Sequence, residues 1–253
     1  MKVLYIGDVY GESGRTFLQE KIEYLKQTYK PNIICINGEN LAHGRGITLK
    51  IYKEMMSLGV NVITMGNHTF GNSGIYDCME EKNLVLPANL GNHNKDYTLM
   101  NFNGKKVCII NLLGRTFMEI SLDNPFKVVD EILNTVKADY YIVDIHAEAT
   151  SEKIALGYYL DGRVDLVVGT HTHVQTNDER VLPNKTVYIS DLGMTGPLNG
   201  VLGVNKDTII DRFINGYAQK FTTAEGKRQL CGVFVDLTFK NNPKIEKIRI
   251  YEN

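Results

Sequence analysis

Two stretches decide the fold: Val3-Leu4-Tyr5-Ile6-Gly7-Asp8 and Ile33-Ile34-Cys35-Ile36-Asn37-Gly38-Glu39-Asn40. Each is a short apolar run that breaks into glycine and then into acidic or amide residues. A run apolar at every position suits a strand buried on both faces. Between the two, Phe17, Leu18, Ile22, Leu25 and Tyr29 recur with helical spacing. Pro31 stops that helix. Thr48 is placed to cap a second helix with Leu49, Tyr52 and Met55 or Met56 facing inward, and Gly59 ends it. Residues 60–64 are a third strand. The resulting βαβαβ order belongs to a sheet covered by helices.

Further along, residues 97–102 and 105–113 flank Asn103-Gly104, the strongest short hairpin signal. Antiparallel strands therefore join the parallel set. Asn124-Pro125 opens a helix with Pro125 at its first position and Phe126, Val129, Ile132, Leu133 and Val136 inward. Residues 140–145, 164–168, 187–190, 230–239 and 244–251 read as strands, and Ser151 as the cap of another helix. With no repeat or linker, the chain reads as α/β and as one domain over residues 1–253. The expected architecture is a four-layer α/β/β/α sandwich of two mixed sheets. The best place for a split is near residues 92–96.

The chain has 253 residues, 43% hydrophobic and 23% charged, which is ordinary globular composition. Its 28 basic and 29 acidic side chains give a net charge of −1, which argues against strong nucleic-acid binding through bulk positive charge. Cys35, Cys78, Cys108 and Cys231 are widely spaced and read as buried free thiols in a reducing compartment. The start of the chain lacks a signal-peptide core, and no stretch approaches the roughly 18 apolar residues of a membrane span. The expectation is a soluble, cytoplasmic protein with no membrane partner.

The informative residues follow the strands. Gly7-Asp8 follows the first, Asn37-Gly38-Glu39-Asn40 the second and Gly66-Asn67-His68 the third. His146 follows residues 140–145, with Glu148 close behind. Gly169-Thr170-His171-Thr172-His173 follows residues 164–168. In open α/β sheets the ligand crevice lies outside the carboxyl ends of the strands. Taken singly, Asp8 could be a cap, Asn40 or Asn67 a turn residue, and His146 a core histidine. Taken together, Asp8, Glu39, Asn40, Asn67, His146, His171 and His173 are candidate metal ligands. Carboxylate, amide oxygen and imidazole without thiolate suit iron, manganese or zinc. They are too many for one catalytic ion, and two ions about 3.5–4 Å apart could share Glu39.

These motifs, in this order, resemble those of calcineurin-like metallophosphoesterases. The YmdB-like branch is the nearer resemblance, carried by Gly7-Asp8-Val9-Tyr10-Gly11, Asn37-Gly38-Glu39-Asn40, His43-Gly44-Arg45-Gly46-Ile47-Thr48, Gly66-Asn67-His68-Thr69-Phe70, Asp123-Asn124-Pro125-Phe126 and the run from Gly169 to Thr176. Two departures from the wider superfamily fit that branch. Tyr10 stands where a histidine is usual, and Glu39 where a bridging aspartate is usual. The resemblance implies a first ion on Asp8, Glu39, Asn40 and His173, and a second on Glu39, Asn67, His146 and His171. Iron is the first choice of metal, with manganese or zinc as alternatives. It implies His68 as the catalytic general acid or hydrogen-bond donor, off the metals.

The implied activity is that of a metal-dependent phosphodiesterase or phosphatase. Its substrates would be small phosphodiesters, with 2′,3′-cyclic nucleotides and also 3′,5′-cyclic ones as candidates. A hydroxide between the metals would attack phosphorus in line. Self-association into a homo-oligomer is a further implication. Three loops border the expected substrate: one with His43 and Arg45, one with Arg115, Thr116 and Phe117, and residues 193–200 as a lip. Arg45, Arg115 and Thr116 are the candidate substrate contacts. His93, in a polar turn, is expected to be plain surface. Two other readings stay open: a nuclease or RNA-processing factor, which the charge balance disfavours, and a non-enzymatic nucleotide-sensing regulator.

Overall fold

A computed structural model describes residues 1–91, 96–118, 122–216 and 220–253. The first half runs β1 (Lys2–Ile6), β2 (Asp8–Val9), α1 (Gly11–Tyr29), β3 (Ile33–Asn37), α2 (Leu49–Ser57), β4 (Val62–Thr64), β5 (Leu84–Val85), β6 (Tyr97–Phe102) and β7 (Lys105–Leu113). Next come α3 (Pro125–Thr135), β8 (Tyr140–His146), α4 (Thr150–Tyr159), β9 (Leu166–Thr170), β10 (Arg180–Val181) and β11 (Val187–Ile189). The chain ends with β12 (Met194–Pro197), α5 (Lys206–Asn215), β13 (Arg228–Asp236) and β14 (Lys244–Tyr251).

Among the described residues one sheet is ordered β2-β12-β13-β1-β3-β4-β5, with β14 paired to β13, and the other β10-β11-β9-β8-β7-β6. In the first, β1, β3, β4 and β5 are parallel while β13 runs against β1 and β14 against β13. In the second, β7, β8, β9 and β11 are parallel, flanked by antiparallel β6 and β10.

Three apolar clusters account for the layers. Val3, Tyr5, Cys35 and Val62 of the first sheet meet Ile109, Ile142, Val168 and Ile189 of the second. The outer face of the first sheet, with Leu4, Ile6 and Ile36, packs under Phe17, Leu18, Ile22 and Met55 of α1 and α2. The outer face of the second, with Ile110, Val143 and Val167, packs under Val129, Ile132 and Leu156 of α3 and α4. The central strands are thus apolar on both faces because both faces are covered, and the order is α/β/β/α as expected. All four cysteines are buried and free. Among the described residues no helix is long and apolar enough to cross a membrane.

Local chemistry sets most boundaries. Thr48 Oγ1 accepts from the Ile51 N–H, and Asn124 Oδ1 from the Phe126 N–H with Pro125 at the first helical position. Asn103 and Gly104 both take positive φ, 49° and 76°, as a type I′ hairpin requires. Ser151 does not cap α4: the helix begins at Thr150, behind Ala149, with no side-chain cap. The neighbouring Glu152 turns its carboxylate to the N–H groups of Arg115 and Thr116 instead. Helix α5 escapes periodicity analysis because Ile210, Phe213 and Ile214 on it are exposed. Only its Asn205 cap and the left-handed Gly216 at its end announce it. Residues 193–200 are not a lip: Met194–Pro197 is a buried strand wedged between β2 and β13. The expected dividing point near residues 92–96 falls mostly outside the described residues, which omit 92–95 and with them His93.

Gly7 tests how tightly the strand ends are packed. A Cβ there would sit 1.9 Å from the Gly193 carbonyl oxygen, a backbone atom that cannot swing away. Gly7→Ala is expected to lose about 3 kcal/mol or more in urea unfolding. At Gly216, with φ of 75° and nothing within 4 Å of a built Cβ, the same change costs only the left-handed backbone, about 1–2 kcal/mol.

Candidate active site

The carboxyl ends of β1, β3 and β4 face those of β8 and β9 across the inter-sheet core, and the polar residues beyond them converge there. Asp8 and His146 are fully buried, with Glu39 and Asn40 nearly so. His146 Nε2 lies 2.9 Å from Asn67 Oδ1, 3.1 Å from His171 Nδ1 and 3.2 Å from Glu39 Oε2. On the other side, His173 Nε2 lies 3.2 Å from Asn40 Oδ1 and 4.0 Å from Asp8 Oδ1. Two groups of possible cation donors emerge, Glu39 with His146 and His171, and Asp8 with Glu39 and His173. Within each group the donor atoms lie within 4.8 Å of one another, and Glu39 belongs to both.

The protein's own groups leave this cluster short of positive charge. Asp8 Oδ1 is buried with no hydrogen-bond partner, and burial pushes the Asp8 carboxyl up to about 6. Burial works against a charged His146, yet Glu39, Asp8 and Asp144 outweigh it and raise it to about 9. Burial pushes Glu39 up as well, but His146 and His68 prevail and hold it below the usual carboxylate range. Burial and the charge on His146 push His171 down to about 3, so its ring is neutral and free to donate a lone pair. A buried carboxylate oxygen without a partner, beside converging imidazoles, is the donor chemistry of a hard or borderline cation. Gly66 keeps the space open: a Cβ there would come within 2.3 Å of Glu39 Oε2 and 2.5 Å of His146 Nε2.

A polar layer behind the donors fixes their orientation. His146 Nδ1 lies 2.9 Å from Thr170 Oγ1, which donates to Asp144 Oδ1 at 2.7 Å. Asp144 Oδ2 accepts from Thr64 Oγ1, the Tyr5 hydroxyl and Asn37 Nδ2. Asn37 Oδ1 in turn accepts the Glu39 N–H at 3.2 Å, so β1, β3, β4, β8 and β9 are tied together behind the site. Ligand histidines commonly have the second ring nitrogen held in this way. Glu148 does the same for His171, 3.1 Å from its Nε2, a partner not assigned from the sequence. His171 and His173 both have positive φ, 106° and 64°. For residues other than glycine each such backbone costs about 1–3 kcal/mol and must be held by its surroundings.

In front of the donors lies a cleft of about 760 Å³, bordered by Tyr10, His43, Arg45, His68, Glu148 and Phe221 among others. His68 donates its backbone N–H to Glu39 Oε2 at 3.0 Å, and burial pushes its ring below the ordinary imidazole range. Tyr10, at the position where the wider superfamily has a histidine, packs edge-on against His173 with ring centres 5.7 Å apart. Arg115 and Thr116 line a separate cavity of about 450 Å³ with Asn124, Phe126 and Glu152. Leu202, Val204, Lys220, Phe221 and Thr223 also line the cleft, with the Leu202 carbonyl 3.0 Å from His173 Nδ1. No motif in the sequence marks them, because they reach the cleft only through long-range packing.

Comparison with known proteins shows what the whole chain is similar to. The YmdB-like protein family matches residues 4–250. A Bacillus subtilis (strain 168) protein named 2′,3′-cyclic-nucleotide 2′-phosphodiesterase is 49% identical over 260 residues, covering 100% of this chain and 98% of that protein. A solved structure described as a novel phosphatase from Mycoplasma pneumoniae superposes with a TM-score of 0.94 at 39% identity, covering 100% of this chain and 94% of that one. The solved structure of a hypothetical protein from Thermus thermophilus superposes with a TM-score of 0.95 at 36% identity, covering 100% of both chains.

If the cluster holds cations, they stabilise the folded chain by mass action. Manganese at 100 times its Kd is expected to add about 2.7 kcal/mol, raising the thermal midpoint, and a chelator reverses the gain. A midpoint that responds to neither would exclude the cation site.

Proposed function

Since this chain belongs to the YmdB-like family, we propose that it is a metal-dependent phosphodiesterase whose substrates are 2′,3′-cyclic nucleotides, with 3′,5′-cyclic nucleotides as a second group. The observation that carries this reading is the pair of donor groups sharing Glu39 at the floor of a cleft that also presents His68. Asp8, Glu39, Asn40 and His173 would hold one ion. Glu39, Asn67, His146 and His171 would hold the other, with iron preferred and manganese or zinc able to replace it. Such ions, when bound, supply acidified water and neutralise developing charge on phosphoryl oxygens.

The remaining work falls to the chain. Arg45 borders the cleft and offers a planar donor fork to a non-bridging phosphate oxygen. Phe221, Leu202 and Val204 give the cleft an apolar face for a base. Opening of the cyclic ester adds water to phosphorus and breaks the bond to the 2′ oxygen, which needs a proton. Burial disfavours the charged ring of His68, and a phosphodiester anion brought against it favours that ring. That ring then delivers the proton to the departing oxygen, and the proton lost by water restores the balance. His68 in this role is worth about 10²–10⁴-fold in rate.

The test is hydrolysis of 2′,3′-cyclic AMP, 3′,5′-cyclic AMP and a bis-aryl phosphate by manganese- or iron-loaded protein. Glu39→Gln is expected to lower kcat about 10³-fold, since it removes the shared charge, worth several kcal/mol of barrier. His68→Ala is expected to lower kcat by about 10²–10⁴ on the cyclic nucleotide. The loss should be smaller on the aryl ester, whose leaving group needs no proton. Equal rates for the wild type and Glu39→Gln would overturn the shared-carboxylate proposal.

A further inference from the structure

Lys153 on α4 is fully buried, and so is Asp191, beyond β11. The Lys153 Nζ meets Asp191 Oδ2 at 2.7 Å. The same oxygen accepts the Thr172 N–H at 3.0 Å and the Thr172 hydroxyl at 2.8 Å, while Oδ1 accepts the Gly193 N–H at 2.8 Å. Thr176 adds a reciprocal pair: its hydroxyl accepts the Asp191 N–H and its N–H donates to the Asp191 carbonyl. The Asp191 carboxylate therefore gathers four donors, two of them from Thr172, the residue between His171 and His173.

Those two histidines both carry left-handed backbone, which a chain of ordinary residues abandons unless something holds it. A fully buried ion pair is poor evidence of stabilisation by itself, since apolar residues of similar volume commonly do as well. Its geometry supplies the reason for it here. Asp191 is aimed at the middle of the strained turn, and Lys153 supplies the countercharge that lets a carboxylate sit there. The packing is close there: a Cβ built on Gly169, just before the turn, would sit 1.8 Å from the Ser190 carbonyl oxygen and 3.0 Å from the Lys153 Cδ.

We propose that Asp191, with Lys153 behind it, is a positioning residue of the site. It locks the His171-Thr172-His173 turn so that one histidine faces each half of the donor cluster. Neither residue belongs to the donor groups; the coupling runs through Thr172. The inference rests on reading that cluster as a divalent-cation site.

Manganese titration of the metal-stripped full chain, by calorimetry, tests both layers separately. Thr172→Val is expected to weaken manganese binding about 10-fold, and Asp191→Asn by about 10–100-fold, the range for residues that orient metal ligands. Thr172→Ser keeps the hydroxyl and is expected to bind as tightly as the wild type. The thermal midpoint of Thr172→Val without metal should fall by only a few degrees, because one hydrogen bond to the Asp191 carboxylate is lost and the apolar core is untouched. If Asp191→Asn does not fold, the uncharged pair Lys153→Met with Asp191→Asn replaces it, again with weakened binding expected. Manganese affinity in Thr172→Val and the Asp191 variants equal to the wild type would overturn the positioning role. A wild type that binds no manganese would overturn the cation site beneath it.

Discussion

Two carboxylates and three imidazoles cannot crowd together out of water without positive charge among them. Asp8, Glu39, His146, His171 and His173 do crowd together, with Asp8 and His146 fully buried. Among the described residues no lysine or arginine forms an ion pair with either carboxylate. The groups gather at the sheet edges, where the parallel strands of both sheets end together. Everything else near the site serves that convergence, either by making room for it or by holding it in place.

Room is made by glycine. Gly7 and Gly66 lie where a single Cβ would strike the Gly193 backbone in one case and the Glu39 and His146 side chains in the other. Strand ends thus approach each other more closely than larger residues allow, and the donors they carry come within reach of one another. The near-zero net charge of the chain is consistent with this arrangement. A phosphate-binding surface usually relies on lysine and arginine, whereas here the cleft has Arg45 and Lys220 on its border and a donor cluster suited to cations on its floor.

Holding is done by buried polar side chains. Asp144 takes hydrogen bonds from Tyr5, Asn37, Thr64 and Thr170, which come from β1, β3, β4 and β9, and Asp144 itself lies on β8. Such a network is favourable only when its members are paired, and Asp144 is paired on both oxygens. It links the two sheets at the depth where the site requires them to stay in register. Asp191 and Lys153 do for the turn after β9 what Asp144 does for the end of β8.

Much of this is legible in the sequence. The continuous apolar runs of β1 and β3, the helical spacing in α1 and the Asn103-Gly104 turn depend on neighbours close in the chain, so they can be read without the fold. The residues that follow the strands are legible too, since parallel strands send their carboxyl ends to one edge. The type of each donor can be read, but not its distance from the others. Ser151 looks like a cap because serine commonly caps helices, while α4 begins one residue earlier, at Thr150 behind Ala149, with no side-chain cap. Arg115 and Thr116 carry the right chemistry for a phosphate, yet the fold gives them a cavity of their own. The roles of Glu148, Asp191, Lys153 and the wall around Phe221 have no signature, because each acts through partners far away in sequence or by burial alone. Sequence determined which groups are present and at which strand ends. Only tertiary structure decided which of them touch, because contact depends on how two sheets pack, and no local pattern encodes that.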